Sequence, residues 1–360
     1  MKILFLSGAN RNFDGRSTAL INILKSFSDV ICMSPSEDAE YRVEDPKVSI
    51  LRFILDVKKA CKNMIPVDVI FVDNRVTTLA VLFSIKKNKY KCLVYDAREL
   101  YLFEEVEGLK SKLGCLIEKK VIEKSDLVIC ANEERKKIMQ TRYKSISQIL
   151  VFENFRKLSF SQNEYIKNKA LYGHIFNHRL FTIISTSGCD LTRDTLKLLE
   201  AVRQLEINCQ LLLVGCADNS DKKITENYIE KYKMNNVIMI PRVALSVIQY
   251  LISQSDLGIA MYHKKNANNL YCSSGKIYEY VYEGIPVATT DNPTLLNFTN
   301  KYRVGFSCND IKESIEKCYY NYKMLMSNVK KFKNKDIIEK EQKKFAGDLE
   351  GTLKKFFKYN

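Results

Sequence analysis

Short apolar runs of strand length recur along the chain, each followed by a polar loop and a stretch with helical spacing. Lys2–Ser7, Val30–Met33, Asp68–Asp73, Cys92–Asp96, Leu127–Cys130 and Ile149–Phe152 are such runs in the first part. Phe181–Ser185, Gln210–Gly215, Val237–Ile240, Leu257–Met261 and Val287–Thr290 repeat the pattern in the second. Between them, Ser17–Ser26, Ser49–Asn63, Thr77–Lys86, Leu109–Ser125, Glu133–Gln140, Asp194–Leu205, Ile224–Lys233 and Ala244–Ser253 have helical periodicity. Continuous apolar strands alternating with helices imply parallel sheets covered on both faces. The expected class is α/β, in two doubly wound domains facing across a cleft. Open sheets of this kind bind ligands outside the carboxyl ends of their strands.

The polar, aperiodic stretch 154–178 separates the two sets and reads as a linker with one adapting helix. The expected domains are therefore 1–165 and 166–330, with a Lys-rich helical segment, 331–360, packing back on the first. A chain of 360 residues with 46% hydrophobic residues can bury two such cores. No apolar run reaches the length of a membrane span. The opening run Met1–Gly8 is too brief for a leader and lacks a small-residue cleavage site, so a buried strand and a cytoplasmic location are expected. The 11 cysteines form no Cys-x-x-Cys pair and several lie inside apolar runs, which suits a reducing compartment.

The formal charge of +15 points to anionic partners. Neither a helix-turn-helix, a zinc finger nor an aromatic RNA-binding consensus accompanies it, so nucleic acid is not an expected partner. An anionic membrane surface is, at its inner face, through clusters such as 86–91 and 330–333. His174 and His178 lack a third ligand, and no metal is expected. No Gly-x-Ser-x-Gly or Walker-type loop appears.

The chemistry concentrates in Ser273-Ser274-Gly275-Lys276-Ile277-Tyr278-Glu279-Tyr280-Val281-Tyr282-Glu283-Gly284-Ile285-Pro286-Val287. A helix is expected over Lys276–Glu283, stopped by Gly284 in the left-handed region and by Pro286. A helix N-terminus collects N–H donors and positive dipole, and Ser273, Ser274 and Lys276 add to that pull on phosphate. Glu279, one turn on, can accept from a pair of sugar hydroxyls. Diphosphate at the tip and ribose one turn deeper describe a nucleotide-sugar site. His263, ahead of the polar loop 264–270, is a further contact candidate. Tyr278, Tyr280 and Tyr282 cannot share one face, and packing explains them better than stacking on a ligand.

Lys276-x-x-Glu279-Tyr280 followed by Glu283-Gly284-Ile285-Pro286-Val287 resembles the donor-site signature of the retaining glycosyltransferases of family 4, also called glycosyltransferase group 1. The resemblance runs from Lys2 to about Gly305 and implies the GT-B fold, with a nucleotide-sugar donor, a glycan or lipid-linked acceptor, and no cofactor or catalytic metal. Asp14-Gly15-Arg16 resembles the family's glycine loop near the sugar phosphates. The segment from Val94 to Tyr101 resembles its Tyr-Asp-x-His-Glu stretch, with Arg98 where the histidine would stand. Asp96, Arg98 and Glu99 are then acceptor contacts, Arg98 also a candidate for the donor phosphate.

Gly188 resembles the strand-end glycine of the donor domain, Gly215 the loop near the base, and Arg242-Val243 the stretch whose backbone reads the base. Arg193 falls near a basic phosphate contact, while Cys189 replaces the usual arginine and Tyr271 the first of two glutamates. The resemblance implies retention by front-face attack, with Lys276, Arg193, Glu279 and Arg98 as the catalytic set, in surface polysaccharide synthesis. The rival reading, prompted by the replacements at Arg98, Cys189 and Tyr271, is a catalytically silent protein of the same architecture that binds nucleotide or a partner. An epimerase of that architecture would need paired acid and base groups, and the shortage of histidine argues against it.

Overall fold

Each of the apolar runs becomes a strand of one of two parallel sheets in a computed structural model, which describes residues 1–10, 14–143, 148–155 and 160–358. The chain forms two compact units, residues 1–155 with 339–360 and residues 156–338.

The first unit runs β1 (Lys2–Ser7), α1 (Gly15–Lys25), β2 (Asp29–Ser34), β3 (Tyr41–Arg42), α2 (Ile50–Asn63), β4 (Val69–Asp73), α3 (Thr78–Ser84), β5 (Cys92–Ala97), α4 (Leu109–Lys124), β6 (Leu127–Cys130), α5 (Glu133–Arg142) and β7 (Ile149–Val151). Its sheet has the order β3-β2-β1-β4-β5-β6-β7. Leu4 of β1 stands opposite Ile31 on β2 and Ile70 on β4, and all three strands run the same way. Ile3, Leu4, Phe5 and Leu6 are wholly buried. Side chains on both faces of the strand are covered, which is why the sequence shows a continuous apolar run instead of alternation. Phe5 and Phe71 stack at 5.0 Å on neighbouring strands.

The second unit runs α6 (Gln162–Tyr172), β8 (Phe181–Ser185), α7 (Thr195–Arg203), β9 (Cys209–Cys216), α8 (Ser220–Lys231), β10 (Val237–Pro241), α9 (Leu245–Ser253), β11 (Leu257–Ala260), α10 (Ala267–Leu270), α11 (Gly275–Glu283), β12 (Val287–Thr290), α12 (Pro293–Tyr302), β13 (Gly305–Cys308), α13 (Ile311–Tyr320) and α14 (Tyr322–Asn334). Its strand order is β10-β9-β8-β11-β12-β13. In both sheets the order reverses beside the first strand, between β1 and β4 and between β8 and β11. A crevice opens at such a point at the carboxyl ends of the strands.

The units divide ten residues before position 165 because α6 packs on α9, with Tyr165 and Tyr250 edge to face at 5.3 Å. Helix α14 stays with the second unit, its Phe332 ring 4.9 Å from Tyr302. Helix α15 (Ile337–Lys358) enters the first from Glu339 onward. There Phe345 meets Phe152 at 4.7 Å, and Leu349 and Leu353 are wholly buried. No helix among the described residues is long and apolar enough to cross a membrane, and the eleven cysteines form no disulfide.

Candidate functional site

Helix α11 begins one residue earlier than the spacing implied and ends where expected. Gly284 takes φ 106°, and its N–H and that of Ile285 close on Tyr280 and Val281 carbonyls. Ile277, Tyr278, Tyr280 and Val281 bury one side. The N-terminus is different in kind. Ser274 occupies the capping position but its hydroxyl makes no cap, and no acidic residue lies in the first turn. Ser274 Oγ is buried without a hydrogen-bond partner among the described residues. A buried hydroxyl left unsatisfied by protein is uncommon, and a water, an ion or a ligand can complete its set.

Lys276 Nζ donates to Ser187 Oγ at 2.8 Å, just beyond β8. Gly188 follows at φ 61°, and a Cβ there would lie 2.5 Å from the Gly215 carbonyl oxygen. The loops leaving β8 and β9 therefore touch backbone to backbone, which only glycine at 188 permits. Gly215 itself has φ 98°. Glu279 lies one turn from Lys276 and is 5% exposed.

Tyr280 fixes this helix to the crevice. Its hydroxyl accepts from Thr186 N at 3.0 Å and donates to the Ile259 carbonyl at 3.2 Å, joining the ends of β8 and β11. Burial pushes its phenol well above the ordinary range. The ring lies flat on Gly258, where an added Cβ would come within 2.3 Å of it. Gly258→Ala is expected to destabilise the second unit by about 1–3 kcal/mol through overpacking. An unchanged urea midpoint would show that the ring can move aside.

The connection after β11 is held by polar side chains at the end of β12 and the start of α12. Thr290 Oγ1 accepts from Tyr262 N at 3.1 Å and donates to Asn292 Oδ1, whose amide donates to the Asn269 carbonyl at 2.8 Å. Arg193, on a single turn after Gly188, donates to Asn269 Oδ1 at 2.6 Å and lies over the Tyr262 ring at 4.5 Å. The connection between β8 and α7 is thus tied on both sides of Gly188, Ser187 to Lys276 and Arg193 to the segment after β11. His263, half-buried, accepts from Lys265 N through Nδ1, and burial lowers its pKa, favouring the neutral imidazole. Ser273 is half-buried; Arg242, exposed, and Val243, half-buried, follow β10 at the sheet's edge. Among the described residues no three His, Cys, Asp or Glu side chains are grouped to hold a metal, and His174 and His178 are both exposed.

The first unit carries its own charged cluster at the β1/β4 reversal. Asp14 caps α1, accepting from Arg16 N and Ser17 N, with Gly15 as the first helical residue. Arg16 turns inward. Its Nε and Nη2 grip Asp96 at 2.8 and 2.6 Å, and Nη1 donates to the Phe152 carbonyl and to Asn154 Oδ1. Both side chains are essentially unexposed, at 2% and 0%. Arg16 and Asp96 are held by each other, and together they tie β5, α1 and the end of β7; the contacts expected of Arg16 with the donor and of Asp96 with the acceptor would have to compete with this pair.

Arg98 faces the same cluster, donating to both oxygens of Asp14 at 2.7 and 2.8 Å and to Asp73 at 3.3 Å. Burial opposes its charge, but Asp73, Asp14 and Asp96 outweigh that and hold its pKa well above normal. Asp73 also accepts from Ser7 and Ser17 hydroxyls at 2.7 and 2.8 Å, while burial raises its pKa against the pull of Arg98. Arg98 therefore stands between carboxylates, 15% exposed, as a partly neutralised cation. Glu99 beside it is half-buried. Sequence reasoning missed Asp73 and the hydroxyl of Tyr280. The usable signal for Asp73 was its position as the polar end of a buried strand.

No family model and no curated protein matches the chain. Solved structures do. Sucrose-phosphate synthase from Thermosynechococcus elongatus superposes with a TM-score of 0.74 at 11% identity, over 100% of both chains. Anabaena HepE, solved in complex with UDP and glucose, gives 0.71 at 16% identity over 98% of this chain and 100% of its own. A UDP-GlcNAc 2-epimerase from Neisseria meningitidis, bound to UDP-GlcNAc, gives 0.62 at 13% over 97% and 99%. At these identities the likeness establishes the fold, which is GT-B: two Rossmann-like units, with sheets of seven and six strands. That fold serves transferases and an epimerase alike, so function is argued from residues.

Proposed function

We propose that this GT-B chain is a retaining, metal-independent glycosyltransferase, moving a sugar from a nucleotide-sugar donor to a glycan or lipid-linked acceptor in surface polysaccharide synthesis at the cytoplasmic face of a membrane. The observation that carries the reading is the N-terminus of α11. An orphaned Ser274 hydroxyl, a helix terminus that Ser274 does not cap and Lys276 converge there beside the glycines Gly188, after β8, and Gly215, the next-to-last residue of β9. That arrangement suits a diphosphate. Arg193 would share its charge, Glu279 would take the ribose hydroxyls, and Arg242-Val243 would lie along the base. The acceptor would fall to the first unit, with Glu99 and Arg98 as its contacts. The complex of HepE with UDP and glucose supports uracil as the first base to try.

In the proposed chemistry the bond from the anomeric carbon to the diphosphate oxygen breaks with both electrons going to oxygen. The acceptor oxygen bonds to the same face of that carbon, and its proton passes to the leaving phosphate. The protein contributes orientation and charge stabilisation and needs no nucleophile of its own.

Thermal unfolding with UDP, GDP, ADP, CMP and their sugars tests the reading. Ligand at about a hundred times its Kd adds ~2.7 kcal/mol. One nucleotide class is expected to raise the melting temperature, with the effect lost in Glu279→Ala and weakened in Glu279→Gln. No shift with any of them would favour the silent protein of the same architecture. The partly neutralised Arg98 is the observation in favour of that rival. Donor binding without transfer or hydrolysis would also select it.

A further inference from the structure

Gly188 and Gly215 bring more than their own backbones together. Each is followed by a cysteine, Cys189 in the connection after β8 and Cys216 as the last residue of β9. The two thiols are hydrogen-bonded to each other inside one apolar cluster, 2% and 5% exposed. Cys216 Sγ also donates to the Leu213 carbonyl at 3.4 Å, within its own strand. One hydroxyl holds the backbone on both sides of Cys189: Thr195 Oγ1 reaches the Asp190 carbonyl at 2.8 Å and the Gly188 carbonyl at 3.5 Å.

The pair is chemically asymmetric. Bonds from the Cys216 thiol and the Thr225 hydroxyl outweigh burial and hold the Cys189 thiol below its ordinary range, with Lys222 adding to the pull. The bond to Cys189 and burial push Cys216 up. Burial acts unopposed on thiols elsewhere in the chain: it is the main cause that pushes Cys92, Cys130 and Cys318 up to about 12. A sulfur that ionises readily beside a second sulfur is the arrangement that an oxidant closes. Both sulfurs are covered, so the oxidant must be small.

We propose that Cys189 and Cys216 form a reversible redox site, closed to a disulfide by hydrogen peroxide. The Cys189 thiolate attacks one peroxide oxygen, the O–O bond breaks, and the departing hydroxide takes a proton to become water. The sulfenic acid left on Cys189 is attacked by the Cys216 sulfur, the S–O bond breaks, and a second water leaves. Two thiols lose two electrons and two protons, and one peroxide becomes two waters. A dithiol reductant reverses the bond by exchange. Closing it draws the sulfurs nearer than a hydrogen bond holds them. Gly188 already lies against the Gly215 backbone and cannot follow. The segment must shift at Ser187 instead, and Ser187 carries the bond from Lys276. Oxidation therefore loosens the start of α11.

The readouts, a cross-linked peptide and amide exchange, are independent of glycosyl transfer. Full-length protein is reduced, desalted and treated with hydrogen peroxide, the remaining thiols are alkylated, and its peptides are mapped by mass spectrometry without reduction. A Cys189–Cys216 cross-link is expected, lost with dithiothreitol and absent from Cys189→Ala and Cys216→Ala. Cys308→Ser, at a half-buried thiol, should form it as wild type does. Hydrogen exchange at 186–189 and 275–278 is expected to quicken about threefold or more on oxidation. Melting temperatures verify that the variants fold, and the wild-type map stands without them. Overoxidation of Cys189 with no cross-link, its pairing with another cysteine, or a cross-link that leaves exchange unchanged in both segments overturns the proposal.

Discussion

Lys276→Ala is expected to lower turnover by two to three powers of ten. A charged donor aimed at a departing diphosphate stabilises charge that develops only in the transition state, and removing such a donor costs on the order of 3 kcal/mol there. The loss should appear in kcat more than in donor affinity, because in the proposed site Gly188, Gly215, Ser274 and the helix terminus would still hold the ground state. Steady-state kinetics with the donor selected by thermal shift would measure it. Turnover within about threefold of wild type would remove Lys276 from the chemistry and leave its bond to Ser187 as a structural tie. Arg193→Ala provides the comparison. It is held by Asn269 and Tyr262, so part of any loss there reflects the loop, and Asn269→Ala separates the two.

Asp96→Ala is expected to destabilise the first unit by about 3–5 kcal/mol, because it strands a buried guanidinium. Arg16 would keep its bonds to Phe152 and Asn154 but lose both carboxylate contacts, in a place that water does not reach. The double replacement Arg16→Met/Asp96→Leu is expected to recover most of that loss, since desolvating the pair offsets much of its Coulomb attraction. Chemical denaturation followed by probes in each unit is the suitable measurement, because a chain of two units need not unfold in one step. An Asp96→Ala variant as stable as wild type would mean that the pair is solvated or replaceable. Its catalytic consequence would then need separate explanation, since Asp96 would regain the role the sequence suggested for it.

These two residues mark where the sequence stops being legible. Strands such as β4 and β5 were readable because burial on both faces writes an unbroken apolar run. The strand β3, two residues long, and β13, Gly305–Cys308, have no such run and were not anticipated. Helix α11 was readable because Gly284 and Pro286 punctuate it, and local chemistry sets both ends. By contrast Arg16 and Asp96 are 80 positions apart, and nothing local in either segment distinguishes an ion pair from a ligand contact. Tyr280 was taken correctly as packing. Its bonds to Thr186 and Ile259 depend on the strand reversal between β8 and β11, which appears only once the sheet is assembled. Arg98 was recognised as out of place, but not that Asp14 and Asp73 would face it.

The first unit needs residues from both ends of the chain, since α15 from Glu339 onward fills the flank where Phe152 meets Phe345. On the ribosome those residues emerge only after the whole of 156–338 has been made. At the usual ~5–20 residues per second that is a wait of about ten to forty seconds. Through that interval the nascent sheet stands with Phe152 uncovered. The later-made unit, contiguous in sequence, has no such dependence, so it can finish folding first although it is translated second.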